Sequence, residues 1–345
     1  MSFYKLLYME SLENGSFKVR FGVIGTNFIV DKVLEAARLD HRFELAAIYS
    51  RTQERADEFA KKHNVPHTFT SLEDMVSSNL IDAVYIASPN SLHASQSILC
   101  IQHGKHVFCE KPFASNANEV KAMIAAAEKY NVTLMEAMKP TMTPNFSTIK
   151  DNLKEIGTIR KYFSCYCQYS SRYDKLKEGV ILNAFDPSLS NGAVMDLGVY
   201  TIYPMVVLFG RPKKISATGL KLFTGADGQG SVNFEYEGMD ATIMYSKIAD
   251  SSLPTEIQGE EGTITADRIN IINKVTLKKR GGEETIISTP NPTHEYYFEV
   301  AEFIDLIQKN EKESTINSLE NSLITIEIID EIRKQLGIIY PADSI

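Results

Sequence analysis

The sequence predicts an α/β protein in two parts. The first is a doubly wound parallel sheet of the nucleotide-binding (Rossmann) kind, the second an α+β part with an open, largely antiparallel sheet. Three observations carry this. From Val19 to Glu136, continuous apolar runs alternate with amphipathic helical stretches, the pattern of a parallel sheet covered on both faces. After Pro144 the texture changes to short strand-like runs separated by turn signals. Within the first texture lies Glu110-Lys111-Pro112, which directly follows a strand-like run and would sit where such sheets open their ligand crevice.

In order, Val19–Ile24, Phe43–Tyr49, Ile81–Ala87, His106–Cys109 and Val132–Glu136 read as strands, and Phe28–Leu39, Gln53–His63, Ser91–Gln102 and Asn118–Tyr130 as helices. One helix over Asn145–Glu155 leads into a β-rich stretch, Thr158–Tyr169, and a long apolar helix is expected over Gly192–Phe209. From Lys213 to Ser288, turn signals such as Glu237-Gly238 and Gly281-Gly282 punctuate many short strands. Helices over Thr293–Lys309 and Ser318–Leu336 finish the chain. The domain division expected is 1–18 as an N-terminal extension, 19–140 as the nucleotide-binding domain and 141–345 as a substrate and dimerisation domain, its last helices packing back on the first domain.

The chain's 345 residues, 43% of them apolar, suffice for one large or two ordinary domains. No run of eighteen apolar residues suggests a membrane span, and the first ten residues turn acidic too soon for a signal peptide. A net charge of −8 argues against nucleic acid or anionic membrane as partner. The four cysteines lack a disulfide-framework spacing and suit buried thiols in a reducing cytoplasm, with Cys165 and Cys167 sharing one face of a strand. No His-Glu-x-x-His or cysteine-pair pattern supports a metal, and no Gly-x-Ser-x-Gly elbow supports a serine hydrolase.

The candidate cofactor turn is Gly25-Thr26-Asn27-Phe28-Ile29-Val30. Only the first glycine of the dinucleotide fingerprint stands here; Asn27 replaces the second and Val30 the third. Asparagine tolerates left-handed backbone, so the turn can form, with more crowding of a pyrophosphate than glycine gives. The second strand ends in Ser50-Arg51-Thr52 rather than in an acid. Hydroxyls and a guanidinium suit a ribose 2′-phosphate, so NADP is expected over NAD. Ser88, Pro89, Asn90 and His93 follow the next strand end and are candidates to line the nicotinamide side, with a packing role for His93 equally open. Asp196 and Tyr200, four apart, would be neighbours on a helical face.

These residues resemble the Gfo/Idh/MocA oxidoreductases. The resemblance runs from Val19 to the C-terminus and rests on Ser88-Pro89-Asn90 with His93, Gly104 through Pro112, and Gly192 through Tyr200. Met135-Glu136-Ala137 and the tail Gly337 to Asp343 are most similar to the dimeric dihydrodiol dehydrogenases, with the glucose–fructose oxidoreductases next. The resemblance implies that Glu110 and Lys111 approach the nicotinamide ribose, that the Lys111–Pro112 peptide is cis, and that the chain forms a homodimer or dimer of dimers. Two departures stand out: the glycine-poor turn, and Met138–Pro144, which lacks the aromatic and arginine residues common in relatives and is expected to border the substrate pocket.

The expected activity is hydride transfer between NADP(H) and a carbinol carbon of a sugar, polyol or diol. Lys111 and Tyr200 are alternative proton carriers, Lys111 is expected to lower the phenol's pKa, and Asp196 would orient substrate hydroxyls or the lysine. The alternatives are a glycosidase using NAD for transient oxidation, and a non-catalytic NADP(H) sensor.

Overall fold

A computed structural model describes residues 17–344; the expected N-terminal extension lies, up to residue 16, outside the described residues. Six parallel strands form the first sheet: β1 (Val19–Ile24), β2 (Phe43–Tyr49), β3 (His67–Phe69), β4 (Ala83–Ile86), β5 (His106–Glu110) and β6 (Leu134–Ala137). Their order, β3-β2-β1-β4-β5-β6, reverses direction between β1 and β4. That reversal opens a crevice at the carboxyl ends of the strands. All four residues of β4 are buried, as an apolar run between two helical layers requires.

The helices start where side chains can cap them. Asn27 caps α1 (Phe28–Ala37), Thr52 caps α2 (Gln53–His63), Ser71 caps α3 (Leu72–Ser77) and Asn116 caps α5 (Ala117–Tyr130). Each accepts a hydrogen bond from an amide that the helix cannot use itself. Between them, α4 (His93–Gln102) follows a single 3₁₀ turn, Asn90–Leu92. The polar β3 and short α3 escape the sequence reading, being too brief to show a period.

The chain then crosses through α6 (Pro144–Asn152) into a second sheet of eight strands: β7 (Ile159–Cys167), β8 (Lys214–Lys221), β9 (Asp227–Glu235), β10 (Asp240–Ser246), β11 (Thr255–Gly259), β12 (Gly262–Ala266), β13 (Val275–Lys279) and β14 (Glu284–Ile286). Their order is β14-β13-β12-β11-β7-β10-β9-β8. The central strand β7 pairs in parallel with β10, and the remaining neighbours are antiparallel. The short α7 (Ser171–Lys177) follows β7. Side chains alternate along β7: Tyr162 faces the helical layer, where its hydroxyl donates to the Thr201 carbonyl, while Cys165 and Cys167 share the opposite face with sulfurs 3.6 Å apart.

The expected single helix over Gly192–Phe209 is instead a π-helical turn, Val194–Gly198, running into α8 (Val199–Phe209). Asp227 explains the irregular start. Its carboxylate takes the Val194 amide at 2.7 Å, and any Cβ on Gly192 would lie 2.1 Å from it. The wide turn presents Asp196 toward the first domain.

Two late helices tie the halves together. Phe303, on α9 (Tyr297–Gln308), stacks on Phe108 of the parallel sheet at 5.1 Å and tilts against Phe21. Its full burial contributes about 2–3 kcal/mol. The α10 helix (Leu319–Leu336) packs on α5, α8 and the edge strand β8 (Lys214–Lys221). No helix among the described residues is long and apolar enough to cross a membrane.

Candidate active site

The cofactor turn is built on Gly25, whose φ of 114° carries the chain off β1. A Cβ there would sit 2.6 Å from the Ala87 carbonyl oxygen, so only glycine passes between the ends of β1 and β4. Asn27 differs from expectation. It is extended, not left-handed (φ −90°), and its role is in its side chain. The carboxamide oxygen accepts from the Ile29 and Val30 amides, and its nitrogen donates to the Ala87 carbonyl at 2.8 Å. Asparagine thus ties the turn to β4 where the fingerprint glycine would leave the helix amides free.

Thr26, Asn27 and Phe28 line a cavity of about 270 Å³ with Phe59 and two ion pairs, Arg55 with Glu58 and Lys62 with Asp31. Arg51 and Thr52 are exposed at its side, and Ser50 is half-buried. Arg55, which the sequence reading missed, donates to both the Thr26 hydroxyl and carbonyl, at 3.1 and 2.9 Å. It lies in the first turn of α2, three residues past the cap Thr52, and a basic residue at the start of the helix after the second strand was the available signal. A strand end, a left-handed glycine, a helix N-terminus and two arginines fit a phosphorylated dinucleotide.

The nicotinamide-side candidates divide. Ser88 is half-buried and donates to Gln96. Pro89 is half-buried beside it. Asn90 reaches across to the second domain, donating to the Ser190 carbonyl and the Asn191 side chain. His93 is 1% exposed, and its two ring nitrogens lie 2.9 Å from the carbonyls of Ser88 and Pro112. Its ring is spent on the backbone rather than turned to the crevice, so the packing role fits it. The Lys111–Pro112 peptide above it is cis.

At the end of β5 the charges converge. Glu110 is buried and accepts from the Tyr85 hydroxyl at 2.6 Å; burial raises its pKa despite that bond and the neighbouring Lys111. The Lys111 ammonium donates to the Asp196 carboxylate at 2.9 Å and to its carbonyl at 3.1 Å. Burial opposes the ammonium form, but Asp196 and Glu110 outweigh it and raise the lysine pKa. Asp196 also receives Lys247 at 2.7 Å. Burial would raise this carboxyl, yet the two ammonium groups hold it well below the usual carboxylate range.

Tyr200 does not meet the expectation of an acidified phenol. The Lys111 ammonium stands 4.7 Å over its ring, a cation–π contact, rather than at its hydroxyl. Burial, with Glu110, Tyr166 and Asp196 nearby, pushes the phenol well above its ordinary value. Tyr166, from β7, packs edge-on against the same ring at 5.6 Å. The segment 138–144 is also corrected: Lys139 and Thr141 are buried, Lys139 pairs with Glu295 at 2.6 Å, and its ammonium lies over Tyr296. It packs under the start of α9, and Lys139 there is close enough to Glu110 to feel its charge, so the segment stays beside the site through buried groups. Among the described residues no cluster of three His, Cys, Asp or Glu could hold a metal.

A Rossmann crevice, a half-buried ammonium–carboxylate pair at its mouth and a second sheet beside them define a two-domain, dinucleotide-dependent oxidoreductase. Residues 19–138 match GFO_IDH_MocA, the oxidoreductase family with an NAD-binding Rossmann fold, and residues 152–265 match the GFO/IDH/MocA C-terminal domain. The chain belongs to this family. It is 52% identical, over 94% of its length and 99% of the relative's, to the scyllo-inositol 2-dehydrogenase (NADP(+)) of Bacillus subtilis (strain 168). It is 30% identical to the trans-1,2-dihydrobenzene-1,2-diol dehydrogenase of Xenopus laevis, over 93% and 97% of the two chains. The aldose-aldose oxidoreductase of Caulobacter crescentus shares the fold, with a TM-score of 0.81, 18% identity, and 93% and 98% of the chains covered.

Proposed function

We propose that this protein is an NADP(H)-dependent dehydrogenase of cyclic polyols, interconverting a ring carbinol of the scyllo-inositol type and the corresponding ketone. The observation that carries the chemistry is the Lys111 ammonium, fixed by Asp196 at the carboxyl end of β5. The substrate class rests on the half-identity, over nearly the whole chain, to the Bacillus subtilis enzyme.

Bound NADPH supplies the hydride to the carbonyl carbon. Lys111 donates its proton to the carbonyl oxygen, which becomes the hydroxyl; in oxidation the carbinol proton returns to the lysine amine as hydride leaves carbon. The raised lysine pKa keeps the ammonium charged at neutral pH, which suits donation in the reducing direction, and the same charge steadies a developing alkoxide. Asp196 aims the ammonium. Tyr200 forms a wall and a weak donor rather than the base, because Lys111 meets the face of its ring and not its hydroxyl. Glu110, next to Lys111, would meet the nicotinamide ribose. Arg51, with Arg55 in the first turn of α2 and the hydroxyls of Ser50 and Thr52, would take the 2′-phosphate, and Gly25 to Ile29 the pyrophosphate.

The exposed face of the eight-stranded sheet, with Cys165 and Cys167 on it, suits pairing into a homodimer or dimer of dimers. The four free thiols suit a cytoplasmic setting.

The test is NADPH oxidation with 2-keto-myo-inositol, and NADP⁺ reduction with scyllo-inositol, each beside NAD(H). NADP(H)-preferring turnover in both directions is expected. Binding without turnover on any cyclitol, aldose or diol would overturn the reading and favour a sensor.

A further inference from the structure

Asp196 faces two lysines, and the reaction as derived uses only one. Lys247 follows the last residue of β10 and is 3% exposed. Its ammonium donates to Asp196 Oδ2 at 2.7 Å and to the Ala184 carbonyl at 3.2 Å, and it lies 5.3 Å over the Phe185 ring. Buried lysines are rare unless an opposite charge holds them. Here the opposite charge is the carboxylate that also holds Lys111 at 2.9 Å by its other oxygen.

We infer that Lys247 is a positioning residue for the reaction, dividing the charge of Asp196 so that Lys111 is aimed by that carboxylate without being neutralised by it. The argument is one of counting and geometry. A lone Asp196–Lys111 pair has no net charge to offer a developing alkoxide. With Lys247 the three groups carry a net positive charge, and Lys111 is the member placed over Tyr200 at the cleft. A carboxylate whose second oxygen is occupied can neither swing nor give both oxygens to Lys111. The bond to Ala184 also fastens the 183–185 turn against the same carboxylate. Lys247 itself is too buried to touch substrate.

The groups around Lys111 are few and named. Glu110 and Asp196 favour its charge, as does the Tyr166 hydroxyl from β7. Glu136 on β6 feels the ammonium, as does His93 on α4. Of the lysines, Lys247 is the one that shares a ligand with Lys111.

This inference rests on the dehydrogenase reading, so the test has one arm that needs no turnover. Lys247→Met and Lys247→Arg are compared with the parent by lysine ¹³Cε NMR, the Lys111 signal being assigned through Lys111→Arg, and by steady-state kinetics. With Lys247→Met, the Lys111 titration should move up by half a unit or more, since Asp196 now faces it alone. The kcat should fall tenfold or more, with the NADPH Kd within twofold. Lys247→Arg, which keeps the charge, should restore most of both. An unmoved Lys111 titration in folded Lys247→Met protein overturns the inference, whatever the activity. A moved titration with unchanged kcat overturns its catalytic part. A parent protein that turns over no carbinol overturns the dehydrogenase reading and leaves the titration to decide the charge division alone. If Lys247→Met unfolds, Lys247→Gln takes its place, and an unmoved Lys111 titration in that variant overturns the inference.

Discussion

The two ends of the cleft are built on opposite plans. At the reacting end, Lys111, Asp196 and Lys247 hold one another in place through short charged contacts. At the nucleotide end, Arg51 and Thr52 stand in solvent, and the turn is secured by hydrogen bonds from Asn27 and Arg55. Charges placed beforehand cost no reorganisation when substrate reacts, which is what transition-state stabilisation needs. A phosphate site can wait for its ligand, because the ligand brings the charge that draws in Arg51 beside the already anchored Arg55. Substitutions at the first end should therefore change rate with little change in cofactor affinity, and those at the second should do the reverse.

The largest effect is expected from Lys111→Ala. Loss of the proton carrier and of alkoxide stabilisation should lower kcat by about 10³-fold or more, with NADPH affinity nearly kept. Rate and Kd measured on one preparation test this. A large loss of affinity with modest loss of rate would erase the contrast between the two ends. Tyr200→Phe comes next among the reacting groups. If the phenol is a wall, kcat falls about tenfold; a loss near that of Lys111→Ala would return the proton to the tyrosine.

At the nucleotide end, Arg51→Ala combined with Arg55→Ala should weaken NADPH about 10–100-fold, the worth of charge-assisted hydrogen bonds. NADH should be little affected. Fluorescence titration with both cofactors reads the ratio directly, and an equal loss for both would place the arginines on the shared part of the dinucleotide.

The parallel sheet was legible because apolar runs such as Ala83–Ile86 are uninterrupted and their helices have caps. The Lys111 and Asp196 pairing was legible because each sits in a dense motif. Lys247 was not: it lies 51 positions beyond Asp196 in an ordinary strand end, and only the packing of β10 on the π turn brings it near. The π turn at Val194 was hidden because its cause, Asp227, is equally remote. Asn27 was read by its backbone tolerance, whereas its side-chain bonds decide its place. Tyr200's proton was misjudged because sequence proximity reports which groups are close, while burial and the angle of approach set the pKa.

The smallest expected effect concerns a buried acid behind the reacting end. Glu136 is fully buried on β6, and burial raises its pKa from 4.5 to about 8. A carboxyl that prefers its proton in the folded state makes that state bind more protons than the unfolded chain across this interval. Stability then falls as pH rises from about 4.5 toward about 8, and levels above it. Glu136→Gln keeps the shape and cannot ionise, so its thermal stability should lose this slope and exceed the parent's at pH 8 by a few degrees. Melting curves at pH 5, 6.5 and 8 test it. Parallel curves for the two proteins would mean that Glu136 is ionised and paired, and that the charge placed beforehand at the reacting end extends one strand deeper than Lys111 and Asp196.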